Sequence, residues 1–303
     1  MKILITGASS QPGFKATIEA LRRGHEVIGL HRTNPIPVEH ERLQKVQMDI
    51  TDTIALKDLI LRVRPEVVMH IAAYGDVDGC ERDKQTAWSV NVRATMALAE
   101  AAEVVKAFVI YLSTDYVFDG ERGNYKEDEP PNPVNYYGLT KLMGEVAVMS
   151  RCSRWAIVRT SAIYGLGPGR MNFAKFLIDR LPKGQEVRAL VDQYVSPTHG
   201  TLLAEALLEI AENNRVGIFH VAGERMNRYD FAVKVAETLG FDKNLIKPAK
   251  MEEMKWFAKR PRDSSLSVEK TREALKTDFY STERAMRVLK EEYERQGSFT
   301  STG

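Results

Sequence analysis

Lys2-Ile3-Leu4-Ile5-Thr6-Gly7-Ala8-Ser9-Ser10-Gln11-Pro12-Gly13 opens as a short apolar run that stops at a glycine. A run of that length bounded by glycine reads as a strand rather than a signal peptide. The residues after it, as far as Arg23, read as a helix, and Glu26-Val27-Ile28-Gly29-Leu30 reads as a second strand, completing a β-turn-α-β unit. In such a unit glycine lets the backbone pass close to a pyrophosphate, whose charge is met by the amides and dipole at the helix N-terminus. The spacing Gly7-x-x-Ser10-x-x-Gly13, enclosing Gln11 and Pro12, is therefore a candidate dinucleotide turn.

The alternation continues. Val46-Gln47-Met48-Asp49-Ile50 is followed by a helix near Thr53 to Val63 and by the apolar strand Val67-Val68-Met69-His70-Ile71, which ends in Ala72-Ala73. A long helix is predicted through Trp88-Ser89-Val90-Asn91-Val92 to about Glu103, and a strand from Ala107 to Leu112 then delivers Ser113 and Thr114. Alternating strands and helices build a parallel sheet whose ligands lie at the carboxyl ends of its strands. Small residues at Ala72 and Ala73 suit a flat cofactor there. Asp49 can accept from an adenine amino group, or cap the next helix.

An acidic residue just after the second strand would hold the ribose hydroxyls of NAD, but the chain has Leu30-His31-Arg32-Thr33 there. Arg32 suits a 2′-phosphate in forked geometry, so NADP is favoured; the alternatives are a solvated arginine or dual specificity.

Tyr137 and Lys141 are spaced to share one face of a helix, whereas the residue four after Tyr136 is Thr140. An ammonium beside a phenol favours the phenolate and lowers its pKa towards the range useful for a general acid. Thr114 or Ser113, at the end of the preceding strand, would add a hydroxyl donor to the same carbonyl oxygen.

Length and composition bound the class. The 303 residues suit a nucleotide-binding sheet with a smaller lobe, and the 44% apolar content supports a substantial core with no apolar run long enough to cross a bilayer. With 43 basic against 41 acidic residues there is no nucleic-acid footprint. Cys80 and Cys152 lack metal-ligand spacing and read as reduced thiols of a cytoplasmic protein, without a disulfide. The fold expected is α/β, a Rossmann-type doubly wound parallel sheet over residues 1–164 with segments at about 185–222 returning to it. A smaller C-terminal substrate-binding lobe is expected over 165–295 and a frayed tail over 296–303.

In the later part, helices are predicted near Asn172 to Arg180, Gly200 to Glu212, Tyr229 to Thr238 and Thr282 to Glu294, with a strand at Gly217 to Val221. Arg260-Pro261-Arg262 sets two guanidinium groups beside a stiff turn, fit to hold a diphosphate or simply to be solvated. Asn172 can cap its helix or touch the diphosphate. His199 and His220 stand apart from any metal-ligand cluster and read as structural, so no metal site is expected.

Taken together, these segments resemble the extended short-chain dehydrogenase/reductase family and, within it, the branch of the dTDP-4-dehydrorhamnose reductases. The resemblance rests on Ser113-Thr114-Asp115-Tyr116-Val117-Phe118, Tyr137-Gly138-Leu139-Thr140-Lys141-Leu142-Met143-Gly144-Glu145 and Arg159-Thr160-Ser161. It is extended by Asn172-Phe173-Ala174-Lys175, Asp192-Gln193-Tyr194, Pro197-Thr198 and the run from Arg260 to Leu266. It implies that Thr114, Tyr137 and Lys141 form the catalytic group, and that NADP(H), with NAD(H) as the alternative, reduces a 4-keto sugar attached to a nucleotide. The cofactor contacts implied are Gly7, Ser10, Gln11, Pro12 and Gly13 in the turn, His31 and Arg32, Asp49 and Ile50, then Ala72, Ala73, Tyr74 and Asn91, together with Tyr137 and Lys141. For the substrate they are Asp115, Tyr116, Ala162, Asn172, Gln193, Arg260 and Arg262.

Members of that branch usually carry a sugar-packing tryptophan where this chain has Ala162, which leaves the exact hexose open. The related dehydratases read Thr-Asp-Glu where this chain has Thr114-Asp115-Tyr116, so no carboxylic acid is offered for eliminating water. The partner expected is the nucleotide sugar, with neither nucleic acid nor membrane and with a homodimer as a permitted assembly. A rival reading is a non-catalytic NADP-binding partner protein, because the resemblance extends to the regulatory subunit of methionine adenosyltransferase.

Overall fold

In the computed structural model residues 1–300 are described, with side chains through residue 295. The first half alternates as read from the sequence: β1 Lys2–Thr6, α1 Gln11–Arg22, β2 Glu26–His31, β3 Leu43–Gln47, α2 Thr53–Val63 and β4 Val67–His70. Two short helices, α3 Val77–Arg82 and α4 Lys84–Trp88, precede α5 Ala94–Val104, and β5 Phe108–Thr114, α6 Tyr136–Arg151 and β6 Trp155–Thr160 complete this half. The later elements are β7 Ile163–Tyr164, α7 Phe173–Arg180, β8 Val187–Leu190, β9 Tyr194–Val195, β10 Thr198–His199, α8 Gly200–Glu212 and β11 Gly217–His220. After them come β12 Met226–Asn227, α9 Arg228–Leu239, β13 Ile246–Ala249, α10 Glu269–Ala274 and α11 Thr282–Thr300. Of the tail expected over 296–303, residues 301–303 lie outside the described residues.

Seven strands form one parallel sheet in the order β11-β6-β5-β4-β1-β2-β3. Side chains alternate across it, so Ile3 and Ile5 enter the core shared with α1 and α8, while Leu4 enters the one shared with α2, α5 and α6. Burial on both faces explains why β1, β4, β5 and β6 read as continuous apolar runs, whereas β3 at the sheet edge is only half-buried and mixed in sequence. Of the later segments, α8 packs on α1 and β11 joins β6 at the sheet edge, whereas β8 pairs with β13 away from the sheet.

The long helix predicted through Trp88 is three joined pieces, with a π-helical turn at Ser89–Arg93 between α4 and α5. The turn carries Asn91, whose amide bonds both backbone groups of Tyr74 and whose carbonyl accepts from Thr95 Oγ1. An inserted residue in a helix is a common way to aim one side chain off the regular face.

The last helix closes the molecule on its beginning. Glu292 of α11 accepts from Lys15 Nζ of α1 at 2.6 Å, from Thr201 Oγ1 at 2.8 Å and from Leu166 N at 2.9 Å. Burial pushes its carboxyl up, but the His199 and Lys15 charges and the donors outweigh that and hold it below its ordinary value. A depressed carboxylate stabilises above its unfolded pKa, and the contribution is lost as pH falls through the folded pKa. Glu292→Gln should therefore lower stability near neutral pH by about 1–3 kcal/mol, with the two proteins converging as pH falls below the ordinary carboxylate range. Denaturant midpoints measured from pH 7 down to about pH 3 check this; a deficit that does not shrink over that range assigns the loss to packing.

Candidate active site

Helix α6 begins hard against the strand end it serves. Asn135 Oδ1 accepts from Gly138 N at 2.8 Å, capping the helix, and a Cβ on Gly138 would lie 2.1 Å from Tyr116 O. Close approach brings Tyr137 and Lys141 into one cleft wall with Ser113 and Thr114. Tyr136 turns away, its ring under Lys84 Nζ at 5.2 Å, as the four-residue spacing requires.

The two strand-end hydroxyls differ. Ser113 Oγ donates to Glu145 Oε1 at 2.5 Å inside a buried knot in which Arg159 Nε and Nη2 reach the same carboxylate at 3.0 and 2.8 Å. Thr114 Oγ1 accepts from Tyr116 N at 3.2 Å and donates to Asp115 Oδ1 at 3.0 Å. Each hydroxyl thus spends its proton on a carboxylate, and Thr114 is the one that also bonds the Tyr137 hydroxyl.

The electrostatics depart from the simple expectation of a phenol lowered by its lysine. Burial pushes the Tyr137 hydroxyl well above its ordinary value, with a hydrogen bond to Thr114 opposing. Lys141 Nζ donates to Leu112 O at 2.7 Å, and burial brings it down to about 7 against the raising influence of Glu145. Without a bound ligand the phenol is a fully protonated donor, and the ammonium is the group that titrates near neutrality.

The cleft itself, about 660 Å³, runs along the carboxyl edge of β1, β2 and β4. Gly7, Ser10, Pro12, His31, Arg32, Asp49, Ile50, Ala72, Ala73 and Tyr74 line one side, and Thr114, Tyr137, Lys141 and Ala162 the other. The turn fits a dinucleotide: Gly7 has φ +67°, a Cβ on it would meet Ala72 Cα at 2.9 Å, and Ser10 Oγ caps α1 by accepting from Gly13 N at 3.2 Å. His31 Nδ1 is buried without a partner, and Arg32 is exposed on the rim. Burial would raise the Asp49 carboxyl, but the two Thr51 donors and Arg32 bring it below its ordinary value. Asp49 does not cap the next helix; Asp52 does, accepting from Ala55 N at 3.0 Å.

Four predicted contacts lie behind the walls. Gln11 is buried, its Nε2 donating to Tyr164 O at 3.2 Å. Gly13 serves packing, since a Cβ there would lie 2.1 Å from Gly7 O. Asn91 is 1% exposed and braces Tyr74 and Thr140 Oγ1 rather than the cleft. Asp115 is 2% exposed, its carboxyl raised by burial while it collects the hydroxyls of Thr114, Ser161 and Ser264. Gln11, Asn91 and Asp115 are polar side chains spent on backbone or on neighbouring hydroxyls, which a one-dimensional reading does not separate from a ligand contact.

A second groove of about 290 Å³ holds Tyr116, Gln193, Arg260, Arg228, Arg188 and Trp256. The paired guanidinium groups of the Arg-Pro-Arg turn do not converge. Arg260 enters the groove, bonded to Asp78 at 2.9 Å and over the Trp256 ring at 5.4 Å, whereas Arg262 is 73% exposed with Asp192 at 3.9 Å. The partner to Arg260 is Arg228, whose Nε donates to Gln193 Oε1 at 3.3 Å; it stands at the start of α9, and nothing in its own neighbourhood of sequence pointed to it. Asn172 caps α7, accepting from Lys175 N at 3.1 Å and donating to Gly165 O at 2.9 Å, so it lies outside the groove walls. Ala162 lines the main cleft with φ +42°, a left-handed conformation that non-glycine residues seldom take. Arg170, also missed, lines the cleft mouth 3.4 Å from Asp76.

A family model described as the RmlD substrate binding domain matches residues 1–294. A dTDP-4-dehydrorhamnose reductase of Mycobacterium tuberculosis is 35% identical over 88% of this chain and 84% of its own. Methionine adenosyltransferase 2 subunit beta of Bos taurus is 30% identical over 88% and 80%. The solved structure of a dTDP-4-dehydrorhamnose reductase from Bacillus anthracis str. Ames in complex with NADP superposes with a TM-score of 0.83 at 28% identity, covering 95% of this chain and 98% of that one.

Because Asn91 Oδ1 is the acceptor for the Tyr74 amide, Asn91→Leu leaves that part-buried N–H unpaired at a cost of about 1–3 kcal/mol. The variant should melt lower and bind NADP(H) more weakly even though residue 91 does not line the cleft; isothermal titration with unchanged affinity would restrict Asn91 to stability alone.

Proposed function

The chain belongs to the RmlD substrate binding domain family, and on that premise we propose that it is an NADP(H)-dependent oxidoreductase that reduces the 4-keto group of a nucleotide-linked 6-deoxyhexose. The observation that carries this reading is the single cleft in which Tyr137, Lys141 and Thr114 face a dinucleotide turn. The bound nicotinamide supplies the hydride. Tyr137, held protonated by burial, gives its proton to the carbonyl oxygen, and Thr114, turning its hydroxyl from Asp115, holds that oxygen by a hydrogen bond. The Lys141 ammonium offsets the charge left on the phenol. Arg32 receives the 2′-phosphate, while Arg228 and Arg260 in the groove beside Tyr116 hold the diphosphate of the sugar nucleotide. The lobe formed by the later segments is accordingly assigned to substrate, and a cytoplasmic location goes with the reading.

Ala162 supports one other reading, a partner protein that binds NADP without turnover, since the site lacks an aromatic ring at that position. Incubation with NADPH and a panel of nucleotide-linked 4-keto sugars separates the two. Oxidation that needs one sugar and falls by about a hundredfold or more in Tyr137→Phe, with cofactor binding kept, supports the enzyme. Tight NADP binding without oxidation, and another protein co-purifying, supports the partner.

Two further outcomes follow from the charges. Arg32→Ala should weaken NADPH far more than NADH in fluorescence titrations; equal losses would return Arg32 to the solvated rim. Since Lys141 is cationic below about 7, kcat for reduction should fall as pH rises through that value, and a flat profile to alkaline pH would remove the ammonium from the step.

A further inference from the structure

Lys141 is 2% exposed, and its ammonium has three N–H groups to satisfy. Among the described residues one hydrogen-bond acceptor reaches it, Leu112 O at 2.7 Å. The charged and titratable groups around it do little more. On its own helix Tyr137 precedes it by a turn, and Glu145 follows by a turn but is shared between Ser113 and Arg159. From β4 His70 faces it, kept neutral by burial and held between Thr6 Oγ1 at 2.7 Å and Thr95 Oγ1 at 2.9 Å. An isolated buried ammonium is costly, and one further group of the fold lies against it.

That group is Tyr111 of β5. Its ring centre lies 4.0 Å from Lys141 Nζ, within the range in which an aromatic face attracts a cation. The residue is fully buried, and its hydroxyl donates to Lys141 O at 3.4 Å. Room for the phenol comes from α6 itself. A Cβ on Gly144 would lie 2.1 Å from the Tyr111 hydroxyl oxygen and 2.6 Å from Cζ.

We propose that Tyr111 is a positioning residue for Lys141: the face of its ring holds the ammonium at the cleft wall, and Gly144 is the opening in α6 that admits the ring. A carboxylate in the same place would also hold the lysine but would cancel its field at Tyr137, whereas an uncharged ring holds the cation and leaves its charge in play. The inference rests on the reading that Lys141 assists Tyr137.

The test compares Tyr111→Phe, which keeps the ring face, with Tyr111→Leu, which removes it. A third series replaces residue 111 with phenylalanines of increasing fluorine content, which preserve shape while draining the ring face of negative potential. Lys141 is titrated by NMR in protein carrying carbon-13 lysine, its signal assigned by loss in Lys141→Arg, and kcat is measured against pH. Tyr111→Phe should titrate like the wild type. Tyr111→Leu should lower the Lys141 midpoint by about one unit and shift the alkaline limb of kcat with it, a roughly tenfold effect at fixed pH. Fluorination should move the midpoint down stepwise, which decides the matter even if the leucine variant fails to fold. A midpoint that does not move with fluorination overturns the proposal, as does an equal shift in Tyr111→Phe, which would assign the effect to the hydroxyl. If no sugar is turned over, the NMR midpoints still decide the role of Tyr111; if the midpoints stay fixed while Tyr137→Phe abolishes turnover, the functional reading stands and this one falls.

Discussion

The ion pair between Arg159 on β6 and Glu145 on α6 fixes where the helix lies on the sheet, and the site follows from that. Both side chains are almost fully buried, and Ser113 at the end of β5 joins the same carboxylate. Removing one partner of such a pair leaves an uncompensated buried charge, at about 3–5 kcal/mol. The helix is therefore pinned to two strands at once, one turn beyond Lys141 and two beyond Tyr137. Gly138 and Gly144 remove the side chains that would hold it off, so the pin acts at short range. A helix free to slide or turn by one residue would carry Tyr137 off the cleft wall.

Around this pin the molecule spends much of its polar chemistry on itself. Thr6, His70 and Thr95 form a neutral chain beneath the cleft, Asp115 gathers three hydroxyls, and Asn91 braces the backbone of Tyr74. These groups keep the walls in one arrangement, because a buried polar network that is fully paired has little freedom to rearrange. The groups that face the cleft, by contrast, include some with few fixed partners, such as His31 and Arg32.

How much of this was legible in the sequence depends on the range of the interaction. The strands and helices were readable because burial on both sheet faces gives continuous apolar runs and helices repeat locally; Gly200–Glu212 was placed to the residue. Tyr137 and Lys141 were readable for the same reason, since one helix carries both. The pairing of Arg260 with Arg228 was not, because it joins a loop to the start of α9, while Arg262 turns out to solvent beside Asp192. Gln11, Asn91 and Asp115 stood at the right sequence positions for ligand contacts, but each bonds a group far along the chain, and Asn172 is taken up by its own helix cap and the nearby Gly165 carbonyl. Burial decided the order of the Tyr137 and Lys141 protonation states, and burial is a property of the assembled fold.

The bond from Lys15 to Glu292 spans 277 residues. A ribosome makes the dinucleotide turn long before the helix that braces it, and β11, the seventh strand of the sheet in chain order, also follows well after the turn. The nascent chain must therefore wait, with the β1–α1 unit formed but its far support missing, until α11 has emerged. Long-range closure of this kind is slow and exposes apolar surface in the meantime. The bracing of the dinucleotide turn thus depends on synthesis through α11: a chain released before Glu292 carries the turn without its brace.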